Sequence, residues 1–322
     1  VDKNTKAEDA YGNKITIPKG FKVLANGTST ESASYTYSGD NIPAVQDGIV
    51  IEDKDGNQFV WVPVGTINNK TGDSRGTTST ITLGRYSNFT MTNGAVASGQ
   101  PVQVASVENC TQTVTIDDDF QELSTSRISS SSSENTTARN LSEFISTTLA
   151  NGGYYIARFE ASKNTTTNKI ESKYSQTVLT NITQPNAAKA AREMYGDTTE
   201  YASDLVNSYA WDTAIIFIQT YSGKTDYGSY NESKTTKAFT ATGKNNDKYC
   251  NIWDMSGNAY EWTTEYSTYS DSSNFRPCVD RGGYYNTDSG ESGGYTSYRN
   301  NYGTTASGSG TSLRPLLYVK QH

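Results

Sequence analysis

Residues able to do catalytic chemistry are few in this chain. Its single histidine, His322, is the last of 322 residues. Mechanisms of the Ser-His-Asp or Cys-His kind need an imidazole base within the fold, so they are excluded. Carboxylate pairs such as Glu261 with Glu265, or the aspartates at 117–119, could in principle serve glycoside hydrolysis. An acidic run is usually a solvated surface, however, and nothing in the sequence orders a second acid opposite Glu261. We therefore predict that the protein is not an enzyme.

The stretch 249–265, YCNIWDMSGNAYEWTTE, has the densest aromatic content in the chain. The Ser-Gly-Asn sequence at 256–258 predicts a turn between two extended, aromatic-rich arms. In the second arm Tyr260 and Trp262 fall on one face of a strand and Glu261 on the other, because strand side chains alternate. We expect the rest of the chain to be organised around this stretch.

Composition favours a polar protein located outside the cell. Apolar residues make up 34%, mean hydropathy is -0.68, and 23 residues are tyrosine, which combines packing area with a polar tip. A net charge of -7 gives no electrostatic footprint for nucleic acid. No run of ~20 apolar residues is present to span a bilayer. Because the chain starts at Val1, we expect a processed or trimmed start with any signal or anchor upstream.

Short strands are predicted in the N-terminal part, at 14–18 and 21–24. Two further β-rich runs, 48–51 and 58–64, flank the sequence DKDGN at 53–57. Asp-Gly between such runs predicts a β-hairpin. The same five residues are similar to the start of a calcium-binding loop, but no Glu follows at the required distance. We therefore predict a hairpin turn.

Three helices are predicted further along. The first follows Asn140 and ends at 151–153, where two glycines stand. Its apolar residues recur at helical spacing: Leu141, Phe144, Ile145 and Leu149. The second covers 187–195 and the third about 204–221, and a strand is predicted at 154–161.

Three motifs of the C-terminal part resemble those of a known family. Residues 254–262, DMSGNAYEW, are similar to the D-M-x-G-N-v-w-E-W signature of the formylglycine-generating enzyme (sulfatase-modifying factor) family. Residues 280–284, DRGGY, are similar to its R-G-G strand, and 312–317, SLRPLL, to its terminal F-R-p segment. YYIARFEA at 154–161 and YAWD at 209–212 are similar to further segments of the family.

The resemblance implies an α+β protein with a C-type-lectin-like fold of the formylglycine-generating-enzyme type. It implies that this domain covers 46–322, preceded by a small N-terminal β extension at 1–45. Residues 66–135, rich in Thr, Ser and Asn, are expected to be an insertion with some strands.

The activities of the family are not expected here. Its oxidases use a cysteine pair between the R-G-G and F-R motifs to bind copper and activate oxygen, and the interval 282–314 contains no cysteine. Related iron sulfoxide synthases need histidine ligands, which His322 alone cannot supply. The resemblance thus implies a non-catalytic member, and an oxidase of the formylglycine-generating type is the third and least favoured function.

The resemblance also implies a structural calcium ion, because the family's D/N-x-x-G-N-x-x-E turn binds one. Two side chains and two backbone carbonyls would be the ligands, which suits the hard oxygen preference of calcium. Carried over, these ligands are Asp254, Gly257, Ala259 and Glu261. The alternative is that Glu261 forms a buried ion pair with Arg281 or Arg314.

Two cysteines flank family motifs that lie close together in the family's fold. The resemblance therefore implies a disulfide between Cys250 and Cys278, and the alternative is two small buried thiols. Cys110 is the odd cysteine, expected to be a buried or free thiol.

Residues 284–310 are nearly devoid of aliphatic side chains and cannot form a core. Tyr, Ser, Asn and Gly with an Arg is the composition of an antibody-type binding surface. In lectin-like relatives this segment forms the ligand-binding face, and in retroelement-diversified variable proteins variation is concentrated there. The candidate binding residues are Tyr284, Tyr285, Asn286, Asp288, Glu291, Tyr295, Tyr298, Arg299, Asn300, Asn301 and Tyr302. The alternatives are a solvated loop and, for Arg281, Arg299 and Arg314, structural ion pairs.

We therefore predict an adhesin-like protein of the bacterial surface that recognises a protein or glycan through its Tyr/Ser/Asn-rich C-terminal surface. The second hypothesis is a pilin-like subunit that self-assembles into a surface filament through the same residues. We expect no nucleic-acid partner. We also expect no membrane span in this chain.

Overall fold

The computed structural model describes residues 1–24, 42–86, 89, 91–92, 95–96, 114–116, 119–128, 134–231, 238–271, 274–287 and 294–321. The candidate residues Cys110, Asp288 and Glu291 lie outside these ranges, as do Asp117 and Asp118. Strands dominate the described residues, so the fold is β-rich, with few helices. The helices are α1 (Leu141–Asn151), α2 (Gln184–Tyr195) and α3 (Ser208–Tyr221).

The strands, in chain order, are β1 (Thr5–Glu8), β2 (Lys14–Ile17), β3 (Lys22–Val23), β4 (Val50–Glu52), β5 (Gln58–Pro63), β6 (Gly65–Asn68), β7 (Thr78–Ile81), β8 (Met91–Thr92), β9 (Ala95–Val96), β10 (Val114–Ile116), β11 (Phe120–Glu122), β12 (Gly153–Ala157), β13 (Ser162–Lys163), β14 (Ile170–Glu171), β15 (Tyr201–Leu205), β16 (Lys248–Tyr249), β17 (Ile252–Trp253), β18 (Tyr260–Ser267), β19 (Cys278–Arg281), β20 (Arg299–Tyr302), β21 (Thr311–Leu313) and β22 (Pro315–Val319).

Two six-stranded sheets form the framework. Sheet I has the order β10-β11-β18-β19-β20, and β21 pairs in parallel with β18. Sheet II has the order β15-β22-β12-β5-β4-β3. Helix α3 packs against β5 of sheet II and β18 of sheet I. All but its last residue are buried, as expected of a helix that is apolar around most of its circumference.

The hairpin predicted around the DKDGN sequence is confirmed. Strands β4 and β5 pair antiparallel, with Val50 opposite Val60. The Asp53 carboxylate accepts hydrogen bonds from the backbone N–H groups of Asp55 and Asn57, both at 2.9 Å, which closes the turn locally. The DKDGN sequence is therefore a turn, as predicted.

The first predicted helix is confirmed. The Asn140 side chain accepts a hydrogen bond from Glu143 N, and Gly152 ends the helix in the left-handed conformation with φ 75°. Leu149 is an exception to the predicted apolar face: it is 42% exposed, because it lies in the last turn, beyond the part of α1 that packs on the sheet.

The start predicted for the third helix is wrong. Residues 204 and 205 belong to strand β15, where Asp204 is opposite Leu316 of β22. The helix begins only after Asn207, whose side chain accepts from Ala210 N. Pairing with a distant strand overrides the helical pattern that these residues show locally.

The two aromatic arms do not pair with each other as one hairpin. The first arm folds back on itself, because Cys250 and Asn251 have φ of 47° and 63° and form a tight turn between β16 and β17. The Ser-Gly-Asn turn is confirmed, with φ of 100° at Gly257 and 57° at Asn258. The second arm continues from it as β18 of sheet I.

The disulfide expected between Cys250 and Cys278 is wrong, since both are free thiols. Their sulfur atoms contact different elements: Cys250 Sγ lies 3.8 Å from Gln46 O and Cys278 Sγ lies 3.9 Å from Gln184 Oε1. Cys250 is in the tight turn between β16 and β17, which packs on the backbone at Gly48, whereas Cys278 begins β19. Cys278 is buried and Cys250 half-buried, and desolvation raises the pKa of both thiols.

The N-terminal residues share the main core. Strand β3 pairs with β4 at the edge of sheet II, and Phe21 packs edge-to-face on Phe59 with ring centroids 6.3 Å apart. Strand β11 of the expected insertion pairs with β18 in sheet I. The division at residue 46 stays a prediction. No helix among the described residues is long and apolar enough to cross a membrane.

Candidate functional site

Strands β18 and β19 position the two polar regions of interest. Glu261 is opposite Arg281 and Trp262 is opposite Asp280 in the antiparallel register. Because side chains alternate, Glu261 and Arg281 point to one face of sheet I and Trp262 and Asp280 to the other. The first face is turned toward α3, where the Arg281 side chain meets Asp212.

On the α3 face three arginines surround two carboxylates, a group we call the arginine cluster (Arg85, Arg281, Arg299, Asp212 and Glu265). Arg281 Nη2 donates to Asp212 Oδ1 (2.6 Å), and Arg299 Nη2 donates to Asp212 Oδ2 (2.5 Å). Arg299 Nε and Arg85 Nη2 both donate to Glu265 Oε1, at 2.9 and 2.5 Å. These side chains are at most 6% exposed, so the cluster is buried and charge-compensated.

The arginine cluster controls the protonation of the acids around it. Burial alone would raise the pKa of Glu265, but Arg299, Arg85 and Arg281 together lower it to about 2. Glu122, from β11, accepts from Ser208 N at 2.7 Å, and burial raises its pKa to about 7 even though Arg85 acts in the opposite direction. Arg85 and Glu122 both come from the expected insertion, and the sequence analysis did not identify either.

Arg314 of the terminal motif forms a second buried ion pair, with Glu261. Its Nε donates to Glu261 Oε2 (2.9 Å) and its Nη2 to Glu261 Oε1 (2.6 Å), a two-pronged contact. Its remaining nitrogen, Nη1, donates to Ala157 O (2.8 Å). Of the two partners considered for Glu261, the structure selects Arg314 and not Arg281.

Asn258 of the signature turn is also used structurally. Its Nδ2 donates to Glu160 Oε2 (2.6 Å), and the next backbone N–H, of Ala259, donates to Glu160 Oε1 (2.9 Å). Burial raises the pKa of Glu160 well above its usual range, with Asp254 and Glu261 adding to the effect. Residues from three family-like segments, 154–161, 254–262 and 312–317, thus meet in one buried polar network.

The predicted calcium ligands fit this network poorly as a metal site. Both oxygens of Glu261 already contact Arg314, and one Asp254 oxygen accepts from Gly243 N at 3.0 Å. Across the described ranges, no group of three or more His, Cys, Asp or Glu side chains is placed to hold a metal ion. The predicted ligand set contains only two carboxylates. Calcium binding at this turn stays a prediction.

The opposite face of sheet I carries a groove of about 410 Å³, the tyrosine groove. It is lined by Tyr260, Trp262, Tyr284, Tyr302 and residues 306–311. The rings of Tyr260 and Tyr284 stack with centroids 5.5 Å apart and an interplanar angle of 19°. Gly310 permits this wall, since a Cβ there would lie 2.6 Å from the Tyr284 ring.

Further aromatic side chains extend the groove at the surface. Phe239 is 37% exposed and packs against Tyr285, with ring centroids 4.5 Å apart. Tyr285 in turn packs against Tyr284 at 4.3 Å. At the inner end, Trp262 and Tyr302 meet edge-to-face at 5.9 Å. Phe239, Tyr285, Tyr284 and Tyr260 thus form one contiguous set of rings, and a contiguous exposed apolar patch is a feature of binding surfaces.

A buried carboxyl group, Asp280, lies directly behind the groove wall. Thr311, which lines the groove, donates to Asp280 Oδ2 at 3.4 Å, and Asp280 Oδ1 has no hydrogen-bond partner among the described residues. Burial raises the pKa of Asp280 to about 8. Its charge reaches Tyr260 and Tyr302, and it adds to the burial that raises the pKa of both.

The candidate binding residues divide between the groove and other places. Tyr284 and Tyr302 line the groove and Tyr285 adjoins it. Asn300 Nδ2 donates to the Tyr302 hydroxyl at 2.9 Å and so holds a groove residue in place. Residues outside the groove lining are exposed Asn286 and half-buried Tyr295, Tyr298 and Asn301.

Arg299 is wrongly included among the binding residues. Its guanidinium belongs to the arginine cluster, because alternation along β20 places it on the opposite face from Asn300 and Tyr302. The sequence analysis also missed Asp280 and Phe239 as parts of the site. The strand register places Asp280 opposite Trp262, and the alternation of side chains then puts both on the groove face. This register is not known from the sequence.

Fold and site together define a β-rich α+β protein with an aromatic groove on one sheet. No family model matches the chain, and no curated protein matches it. Among solved structures it is similar to CarF (13% identity, 52% of this chain and 87% of the other, TM-score 0.39). It is similar to PvdO from Pseudomonas aeruginosa (11% identity, 84% and 97%, TM-score 0.41) and to Treponema denticola variable protein 1 (12%, 81% and 95%, TM-score 0.28). Likenesses this distant carry no argument, so the family stays a prediction.

Proposed function

We propose that this protein is an extracellular, adhesin-like binding protein whose ligand, a protein or a glycan, occupies the tyrosine groove. The observation that carries the proposal is the contiguous aromatic surface from Phe239 through Tyr285 and Tyr284 to Tyr260. Packed tyrosines give a large, rigid contact area at a low cost in conformational entropy, and their hydroxyl groups remain able to bond a ligand.

The shape of the groove supports binding as its purpose. Part of its lining is aromatic, and the rest is formed by the mostly small residues at 306–311. Small side chains leave the backbone accessible, so a ligand can stack on rings and bond to peptide groups at the same time. A solvated loop, the alternative considered for this segment, would not need Gly310 to fit closely against the Tyr284 ring.

We infer that the scaffold is a non-catalytic C-type-lectin-like domain of the formylglycine-generating-enzyme type. Its support is the way the family-like segments meet: three motifs, which supply Glu160, Asn258 with Glu261, and Arg314, join in one network. Such a network gives each motif residue a structural reason to be present, without any catalytic group.

A binding screen tests the proposed function. Immobilised glycans and surface proteins are probed with the intact chain and with Tyr284→Ala and Tyr302→Ala variants. Tyr11→Ala, a half-buried tyrosine in the N-terminal turn, serves as the control. We expect binding to be lost in the two groove variants and kept in the control.

Equal binding by all four proteins would overturn the groove as the site. If none of them binds and the intact chain forms oligomers, self-assembly into a filament replaces ligand recognition as the function. Circular dichroism of each variant establishes that it is folded before its binding is interpreted.

A further inference from the structure

We propose that the tyrosine groove takes an alkylated ammonium cation, such as a quaternary amine of the choline type, as the recognised part of its ligand. This inference rests on the proposed function and specifies the chemistry of the same site. It depends on two observations that are independent of each other: the aromatic walls, and the buried carboxyl group behind them.

The aromatic walls provide the first half of a cation site. The faces of aromatic rings are electrically negative and attract an ammonium group that is within about 6 Å of the ring centre. Tyr260 and Tyr284 form one stacked wall, and Trp262 with Tyr302 forms the inner end. None of the described residues that line the groove carries a charge, so no basic side chain repels a cation there.

Asp280 provides the second half, because it is a buried acid without a basic partner among the described residues. Glu265, on the other face of the sheet, has three arginines, and Glu261 has Arg314. Its Oδ1 atom is buried without a hydrogen-bond partner among the described residues. A bound cation would supply the missing positive charge at the place where the protein has none.

A neutral sugar would not stabilise the ionised form of Asp280. Stacking on the tyrosines would serve a sugar equally well, so the walls alone do not distinguish the two ligands. The buried carboxyl group does, since it gains from a positive charge and from no neutral group of similar shape. Charge complementarity therefore favours the cation.

The same geometry predicts how binding depends on pH. The groups that face Asp280 are Tyr260 on β18, Tyr298 and Tyr302 near β20, Thr311 on β21 and the Cys278 thiol on its own strand. Burial raises the pKa of Asp280 to about 8, and the pKa of each of the titratable neighbours is raised, so Asp280 changes charge first. A cation binds the ionised form better, so affinity rises as the pH rises toward 8.

Titration calorimetry with choline chloride tests the proposal. The comparison ligand is 3,3-dimethylbutan-1-ol, which has the shape of choline without its charge. We expect choline to bind the intact chain about tenfold more tightly than the alcohol, and more tightly at pH 8.5 than at pH 6.5. In Asp280→Asn the preference for choline and its pH dependence should both disappear.

A matched variant separates a local effect from a change in net charge. Asp226→Asn removes one acid that is 65% exposed and pairs with Lys224 outside the groove. Its affinity for choline should equal that of the intact chain. An equal loss in both variants would overturn the role of Asp280. Phosphocholine and trimethyl-lysine, titrated separately, distinguish a head group from a modified side chain as the source of the cation.

Failure of the cation proposal is distinguishable from failure of the proposed function. If choline and its neutral analogue bind equally, or if neither binds while a glycan binds in a Tyr284-dependent way, the groove is a binding site but not a cation site. If the screen also finds no ligand that depends on Tyr284 or Tyr302, both proposals are overturned.

Discussion

Buried ionisable side chains have different partners on the two faces of sheet I. On the α3 face, Arg281 and Glu265 belong to a cluster in which each buried carboxylate contacts at least two arginines. On the groove face, Asp280 lies one residue away from Arg281, with one carboxyl oxygen bonded to Thr311 and no basic partner among the described residues. Strand β19 therefore carries two neighbouring residues of different kinds. The charge of Arg281 is compensated by carboxylates, and the acid Asp280 has no basic partner among the described residues.

The difference concerns how each face offsets the cost of a buried charge. Removing a carboxylate from water is costly, and the attraction of a nearby cation offsets that cost only when the geometry is good. The arginine cluster has that geometry. Asp280 has no such partner among the described residues, so its ionised form is costly in the fold, and burial raises its pKa to about 8.

Removing an arginine from the arginine cluster on the α3 face should have the largest effect on stability. Arg281→Met keeps the length of the apolar side chain but leaves Asp212 and Glu265 with less positive charge around them. Because two buried ion pairs are broken while both carboxylates stay buried, we expect the free energy of unfolding to fall by about 3–5 kcal/mol, measured by urea denaturation.

The control for Arg281→Met is Arg276→Met, which removes an arginine from a partly exposed pair with Asp271. Exposed pairs contribute about 0–1 kcal/mol, so this variant should be almost as stable as the intact chain. Equal losses in the two variants would mean that the arginine cluster does not stabilise the fold as its geometry indicates.

Replacing Asp280 on the groove face should change the free energy of unfolding by a smaller amount and in the opposite direction. The folded-state pKa of Asp280 is raised to about 8 from an ordinary value of 3.8. The folded protein thus holds this proton more tightly than the unfolded chain, and the associated stability is full below pH 4 and is lost as the pH rises through 8. We expect Asp280→Asn to gain about 2 kcal/mol relative to the intact chain between pH 6 and pH 8.

Chemical denaturation at several pH values measures this gain. Other buried acids, including Glu122, titrate in both proteins, so their contributions cancel in the difference. Asp226→Asn should follow the intact chain at every pH. A constant difference between Asp280→Asn and the intact chain would show that Asp280 is not a buried, protonated acid in the fold.

Local signals in the sequence predicted the parts of the fold that depend on neighbouring residues. The Asp-Gly turn between β4 and β5 and the Asn140 cap of α1 are examples, because each is formed within a few residues of the signal. Residues 204 and 205, the last two of strand β15, were predicted as the start of a helix. They pair with β22, near the end of the chain, and no local pattern reports that pairing.

The site could be predicted only in part for the same reason. Tyr284 and Tyr302 were identified from composition, since a stretch without aliphatic residues has to lie at a surface. Arg299 was placed among them because it stands between Tyr298 and Asn300 in sequence. Its position on the other face follows from the pairing of β20 with β19, which composition does not contain. Asp280 was missed because its burial depends on that same pairing.

Truncating the groove wall should affect binding strongly and stability little. Tyr284→Ala removes the stacking partner of Tyr260, but Tyr284 is half-buried, so we expect a loss of about 1 kcal/mol in the free energy of unfolding. Tyr284→Phe keeps the ring and should retain both stability and choline binding. A loss of several kcal/mol in Tyr284→Ala would indicate that the tyrosine groove is part of the core rather than a binding surface.

Chelation of metal ions is expected to have the smallest effect on stability. It tests the buried ion pair between Glu261 and Arg314. Calcium at the signature turn would need the oxygens of Glu261, and Arg314 already contacts both of them at 2.6 and 2.9 Å. An arginine and a calcium ion do not share one carboxylate without repelling each other. We therefore expect EDTA to leave the Tm of the intact chain unchanged, and added calcium to leave it unchanged as well. A fall in Tm with EDTA that calcium reverses would restore the calcium prediction, and Glu261 would then have to turn from Arg314 toward the metal. An unchanged Tm assigns Glu261 to the ion pair with Arg314, so an arginine of the protein itself, and not a metal ion, would balance this carboxylate.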